Sequence, residues 1–152
     1  MSWYGVLKVL HIFAAVVWIG GGAMFAMITA RLLRSRDRIA LGTVVPQLAR
    51  QLGAAGGPAA GTVLLTGIAM VLVGHIGFGA LWVRLGFGGI VLHALFGALV
   101  MRKRTMGLIA AAASPSTDDA AVARAGARLR SGMVTYLALM AAVIVVMVLK
   151  PM

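Results

Sequence analysis

Cysteine is absent from the 152-residue chain. That excludes disulfides, thiolate catalysis and cysteine-held zinc or iron–sulfur centres. Acids are almost as scarce: Asp37, Asp118 and Asp119 are the three carboxylates, and there is no glutamate. All three lie outside the long apolar runs, so neither a carboxylate proton relay nor an acid-lined cation channel is expected. Charged residues of both signs make up 11% of the chain, against about 25% in a soluble domain. So few charges cannot solvate the exterior of a water-soluble fold. No internal repeat is evident.

What the chain has instead is apolar residue, 62% of the total, gathered in four runs at about 4–27, 58–75, 82–101 and 131–149. Each is near the roughly 17–25 residues that cross ~30 Å of hydrocarbon. A helix satisfies its own backbone hydrogen bonds in lipid. The expected fold is therefore all-α, a single four-helix transmembrane bundle over residues 1–152. The first run has one early lysine, an interrupting histidine and a long apolar stretch. It reads as a retained helix rather than a signal peptide, staying helical towards Arg38.

The net charge of +11 is distributed in clusters. Arg31, Arg34, Arg36, Arg38 and Arg50 fall between runs one and two, and Arg102, Lys103, Arg104, Arg124, Arg128 and Arg130 between runs three and four. Basic segments flanking apolar spans follow the positive-inside rule. Segments 31–55 and 102–130 are thus expected as cytoplasmic loops, giving an N-out, C-out topology in a bacterial inner membrane. Trp3, Tyr4 and Trp82 then stand at the outer interface, where amphipathic aromatics prefer to sit. Membrane lipids are expected partners of the cations, with a homo-oligomer or a larger membrane complex as protein partners. Nucleic acid is not expected.

The loops carry their own local signals. Thr43 before Val44-Val45-Pro46 suits a capped helix start, with Val45, Leu48 and Leu52 on a face turned to the membrane. Ser116-Thr117 before Asp118-Asp119 marks a second helix start, continuing through Arg124 and Arg128 into run four. Gly53, Gly57 and Gly61 recur every four residues, a ridge that permits close helix contact.

Ionisable groups inside hydrocarbon are costly and so are candidates for function. They are Lys8 and His11 in run one, His75 at the end of run two, and Arg84 and His93 in run three. Counting ~1.5 Å per residue puts His11 about 12 Å deep and His93 about 16 Å deep, a difference that helix tilt absorbs. Neutral imidazole ligates haem iron, copper or zinc, so His11 and His93 are the expected metal ligands. Gly86, Gly89, His93 and Gly97 share a helical face, whose glycines would leave a flat hollow for a porphyrin. Trp18 shares the face of His11, two turns further in. Lys8, one turn outward of His11, and Arg84 are cations suited to propionates or a lipid phosphate. Each feature also has a plain packing or snorkelling explanation. The ten methionines suit Cu(I) but do not converge with the histidines, and read as apolar packing.

The Lys8-Val9-Leu10-His11 stretch, with Trp18 seven residues on and Gly20-Gly21 after it, resembles the first helix of HemJ-type protoporphyrinogen oxidases and the related CopD-like and DUF2269-like membrane proteins. Pro58, the Leu65-Thr66-Gly67 step and the Trp82, Arg84, His93 pattern are similar as well. The resemblance implies a haem b or related tetrapyrrole site, with His11 as an axial ligand and Lys8 as a functional cation of a redox enzyme. No second histidine closes the first helix, and run four opens Arg130-Ser131-Gly132-Met133 without the asparagine–glutamate–proline start of the HemJ type. Those departures fit a DUF2269-like relative better. Three functions follow as expectations: tetrapyrrole binding between runs one and three with a redox role, a non-catalytic subunit of a larger membrane complex, and CopD-like copper handling.

Overall fold

The computed structural model describes residues 2–151. They form helices α1 (Trp3–Ser35), α2 (Arg38–Val73), α3 (Leu81–Leu95), α4 (Arg102–Ala113) and α5 (Asp119–Leu149). A π-helical segment, Phe96–Met101, joins α3 to α4 without a break. The chain is therefore four rods, each long and apolar enough to cross a membrane. No strand occurs among the described residues. The all-α four-helix bundle is as expected.

The helix ends follow local chemistry. Ser2 accepts from the Gly5 N–H at 3.2 Å to open α1. Arg36 closes it in the left-handed region at φ 56°, so α1 stops short of Arg38. Asp37 then caps α2 by accepting from Ala40 N–H at 3.0 Å. Asp118 caps α5 through Ala121 N–H, as the Ser116–Asp119 pattern foretold.

The loops differ from expectation. Segments 31–55 and 102–130 are mostly helix, and the connections shrink to residues 36–37 and 114–118. The helix start expected at Thr43–Pro46 does not occur, because α2 begins at Arg38 and passes through both Pro46 and Pro58. An internal proline removes a hydrogen bond and strains the preceding turn, at about 3 kcal/mol. Tertiary contact offsets it: Val45, next to Pro46, is fully buried. Leu48 and Leu52 pack on the same core, so this face turns into the bundle rather than to the membrane surface.

A 33-residue helix such as α1 is about 50 Å long, well beyond ~30 Å of hydrocarbon. The excess builds a helical stub at the basic end. Its core holds Leu41, Val45, Leu108, Val122 and Leu129, with Met101 and Met133 at its base. A second core, of Ala14, Trp18, Ala59, Val63, Ile90 and Met140, fills the other half of the bundle. In packing, α1 runs along α2, α3 along α5, and α4 rests on both α2 and α5.

Arg38 ties the stub together. Its guanidinium donates to the carbonyls of Ser114 (2.8 Å), Thr117 (2.9 Å) and Ala111 (3.3 Å), and to Asp119 (3.3 Å). Arg104 links α4 to α5 through the Arg128 carbonyl at 2.9 Å and Ser131 Oγ at 3.0 Å. At the opposite end, Lys150 Nζ lies 5.3 Å from the centroid of the Trp82 ring.

The glycine ridge differs too. An added Cβ at Gly53, Gly57 or Gly61 would meet nothing within 4 Å among the described residues. The ridge faces outward, and the contact of α2 with α1 runs instead through Gly56, Ala59 and Val63, on the neighbouring face.

Candidate functional site

The sequence brings two imidazoles into the apolar half, and the fold sends them into different seams. His11 is half-buried on α1 and turns towards α2, where its Nδ1 lies 3.0 Å from Thr66 Oγ1. The Thr66 hydroxyl sits 2.5 Å from the Thr62 carbonyl. Two oxygens that close require a shared proton, and only the hydroxyl can supply it. Thr66 therefore donates to Thr62 and accepts from His11. The matching tautomer of His11 carries its proton on Nδ1 and leaves Nε2 as the lone-pair nitrogen. The ring packs over Gly67, where an added Cβ would stand at ordinary contact distance, 3.5 Å from His11 Cε1.

His93 is 1% exposed, in the seam of α1, α3 and α5. Its ring meets Trp18 edge-on, with centroids 4.7 Å apart and planes at 88°. Tyr136 of α5 lies on its other side at 4.0 Å and 45°. Its Nε2 is buried with no hydrogen-bond partner among the described residues. Leaving such a group unpaired costs about 1–3 kcal/mol.

The hollow expected along Gly86, Gly89 and Gly97 is filled by α5. A Cβ at Gly86 would meet Met147, one at Gly89 would stand 2.6 Å from Val143 Cγ2, and one at Gly97 would stand 3.4 Å from Tyr136 Cε2. These glycines let α5 approach α3, so the face is a packing surface rather than an open cradle. Each imidazole has its own neighbours: His11 is tied to Thr66, and His93 is in contact with Trp18 and Tyr136.

The remaining expected residues are placed as follows. Trp18 is buried in the second core and meets the imidazole of His93. Lys8 is exposed beside the His11 seam, and Arg84 and His75 are exposed as well. Met24 and Met27 face outward, while Met133 and Met140 belong to different cores. No group of three His, Cys, Asp or Glu side chains able to hold a metal ion forms among the described residues.

Two features escaped the sequence reading. Tyr136 fits between α1 and the third rod because Gly22 and Gly97 flank it, at 3.1 and 3.4 Å from their added Cβ positions. Paired glycines on separate runs were its only signal. The π segment begins three residues after His93. From His93 to Gly97, Met101 and Thr105 the inward positions step by four, each overshooting the 3.6-residue turn, and the wider π turn takes up that drift.

Substituting Thr66→Val should leave the His11 Nδ1 proton unpaired and lower stability by about 1 kcal/mol, while Thr66→Ser should restore it. Unfolding of each variant in mixed detergent micelles measures the difference.

With that geometry in place, comparison by sequence identifies the family. The chain belongs to DUF2269, whose model, described as a predicted integral membrane protein, matches residues 5–151. It is an integral, multi-pass membrane protein. No curated protein and no solved structure matches it.

Proposed function

We propose that this DUF2269 protein binds a tetrapyrrole iron, haem b or a close relative, through His11, and serves a redox role in a bacterial inner membrane with both termini outside. The observation that carries this reading is the His11–Thr66–Thr62 relay. A ligating histidine characteristically donates its second ring N–H to a fixed acceptor, which sets the tautomer and aims the other nitrogen. The His11 Nδ1–Thr66 Oγ1 contact at 3.0 Å supports that arrangement. The donor set suits a macrocycle better than a bare copper ion, which needs several protein ligands, whereas a porphyrin supplies four and leaves one or two positions for imidazole. Bound there, the iron would supply one-electron redox chemistry.

The chain's own residues then have defined tasks. Thr66 holds the Nδ1 proton and the ring direction. Lys8, three residues before His11 and exposed on the same side of α1, offers an ammonium to a propionate. His93 has a second unpaired Nε2, but the filled glycine face means that it is no partner of His11 across a shared plane. Reconstitution of the detergent-purified protein with haem tests the reading. A Soret band is expected that His11→Ala abolishes and His93→Ala retains. Thr66→Val should weaken retention about 10–100-fold. No His11-dependent band would overturn the assignment.

A second reading rests on the outward ridge of Gly53, Gly57 and Gly61. Helical glycine costs about 1 kcal/mol against alanine, and at these three positions an added Cβ would meet nothing within 4 Å among the described residues. Small-residue ridges let transmembrane helices approach closely, which suits a subunit of a larger membrane complex. Gly57→Leu should then release partners that co-purify from native membranes. If the protein isolates alone at native abundance, this reading fails.

A further inference from the structure

Towards the basic end, side chains of α1 and α2 border a groove of about 280 Å³. Gly21, Met24, Leu48, Leu52 and Gly56 line it, and Gln51 stands at its rim. The two glycines form its floor, with the Leu52 Cδ1 3.4 Å from where either Cβ would stand. Gln51 also borders a shallow hollow formed with Gln47, Arg50 and Ala54. An apolar groove therefore opens onto a guanidinium and two amides.

Position and charge together indicate the occupant. The apolar stretch from Leu52 to Val73 is about 33 Å of helix, so Gln51 and Arg50 stand where hydrocarbon meets headgroups. Arg50 forms no ion pair among the described residues. The carboxylates are engaged elsewhere: Asp37 and Asp118 cap helices, and Asp119 pairs with Arg38. With no carboxylate partner among the described residues, the cation is free to pair with an anion from outside the protein. We infer that this groove is a binding site for one anionic phospholipid, with an acyl chain lying over Gly21 and Gly56 and its phosphate held by Arg50, Gln47 and Gln51. A guanidinium and amide N–H groups are suited donors to phosphate oxygens. The inference is independent of the tetrapyrrole reading.

Native mass spectrometry of the full chain, released from nanodiscs of mixed phosphatidylglycerol and phosphatidylcholine, tests it. One retained phosphatidylglycerol is expected, in preference to phosphatidylcholine and undisturbed by inorganic phosphate. Arg50→Gln should lower its retention about fivefold. Ala55→Phe, filling the groove from its exposed side, should lower it as well, while Arg36→Gln beyond the end of α1 should leave it unchanged. Equal retention of the two lipids would overturn the assignment. So would displacement by inorganic phosphate, equal loss in Arg36→Gln, or full retention in Ala55→Phe.

Discussion

Gly89→Ala is expected to destabilise the protein by about 1–3 kcal/mol, whereas Gly88→Ala beside it should be neutral or slightly stabilising. The added methyl at 89 would stand 2.6 Å from Val143 Cγ2. Valine is stiff about χ1, so α5 must move away from α3 rather than a side chain swing aside. At Gly88 nothing lies within 4 Å among the described residues, and alanine is the better helix former by about 1 kcal/mol. Unfolding in mixed micelles separates the two variants. The experiment also decides what the glycine face is for. If the face packs α5, Gly89→Ala lowers stability and leaves the absorption of reconstituted protein unchanged in position. If a tetrapyrrole lay against it, the same substitution would alter the spectrum as well.

Arg38→Ala should remove about 2–3 kcal/mol, the second large effect. One guanidinium serves three backbone carbonyls at the end of α4 and in the turn that follows. No continuing helix satisfies them, although the Ser114 carbonyl also accepts from the Thr117 N–H at 3.2 Å. The ion pair to Asp119 adds little, since the Asp119 side chain is 90% exposed and exposed pairs are weak. Asp119→Asn should therefore be nearly silent. Arg38→Lys should recover only part of the loss, because a point charge cannot span the fork of acceptors. Thermal unfolding and the rate of proteolysis in the 114–118 turn report both effects. An Asp119→Asn loss as large as that of Arg38→Ala would show that the ion pair, rather than the carbonyl contacts, holds the stub.

The membrane half of the fold was legible because lipid makes composition decisive. Each long apolar run had to be a helix, and Asp118 announced the start of α5 through local chemistry. The basic segments were harder to read. Leu41, Val45, Leu48 and Leu52 repeat at helical spacing, but spacing alone does not say whether such a face meets headgroups or other helices. Leu108, Val122 and Leu129, far along the chain, supply the surface it packs on. The partner of His11 was hidden for the same reason. Thr66 lies 55 residues away, and nothing near His11 distinguishes a seam with α2 from one with α3. The depth count placed both histidines within the apolar half, but it could not give the rotation of each helix about its axis, and that rotation separates them. Gly86, Gly89 and Gly97 were expected to leave a hollow for a porphyrin, and Met147, Val143 and Tyr136 of α5 occupy that space.

Haem ligation by His11, oriented through Thr66, is tested most directly by the absorption spectrum of haem-reconstituted protein. Wild-type protein and His93→Ala should show a Soret band, Thr66→Val a weakened one, and His11→Ala none. A band that persists in His11→Ala, or no band in any of the four, would contradict the account.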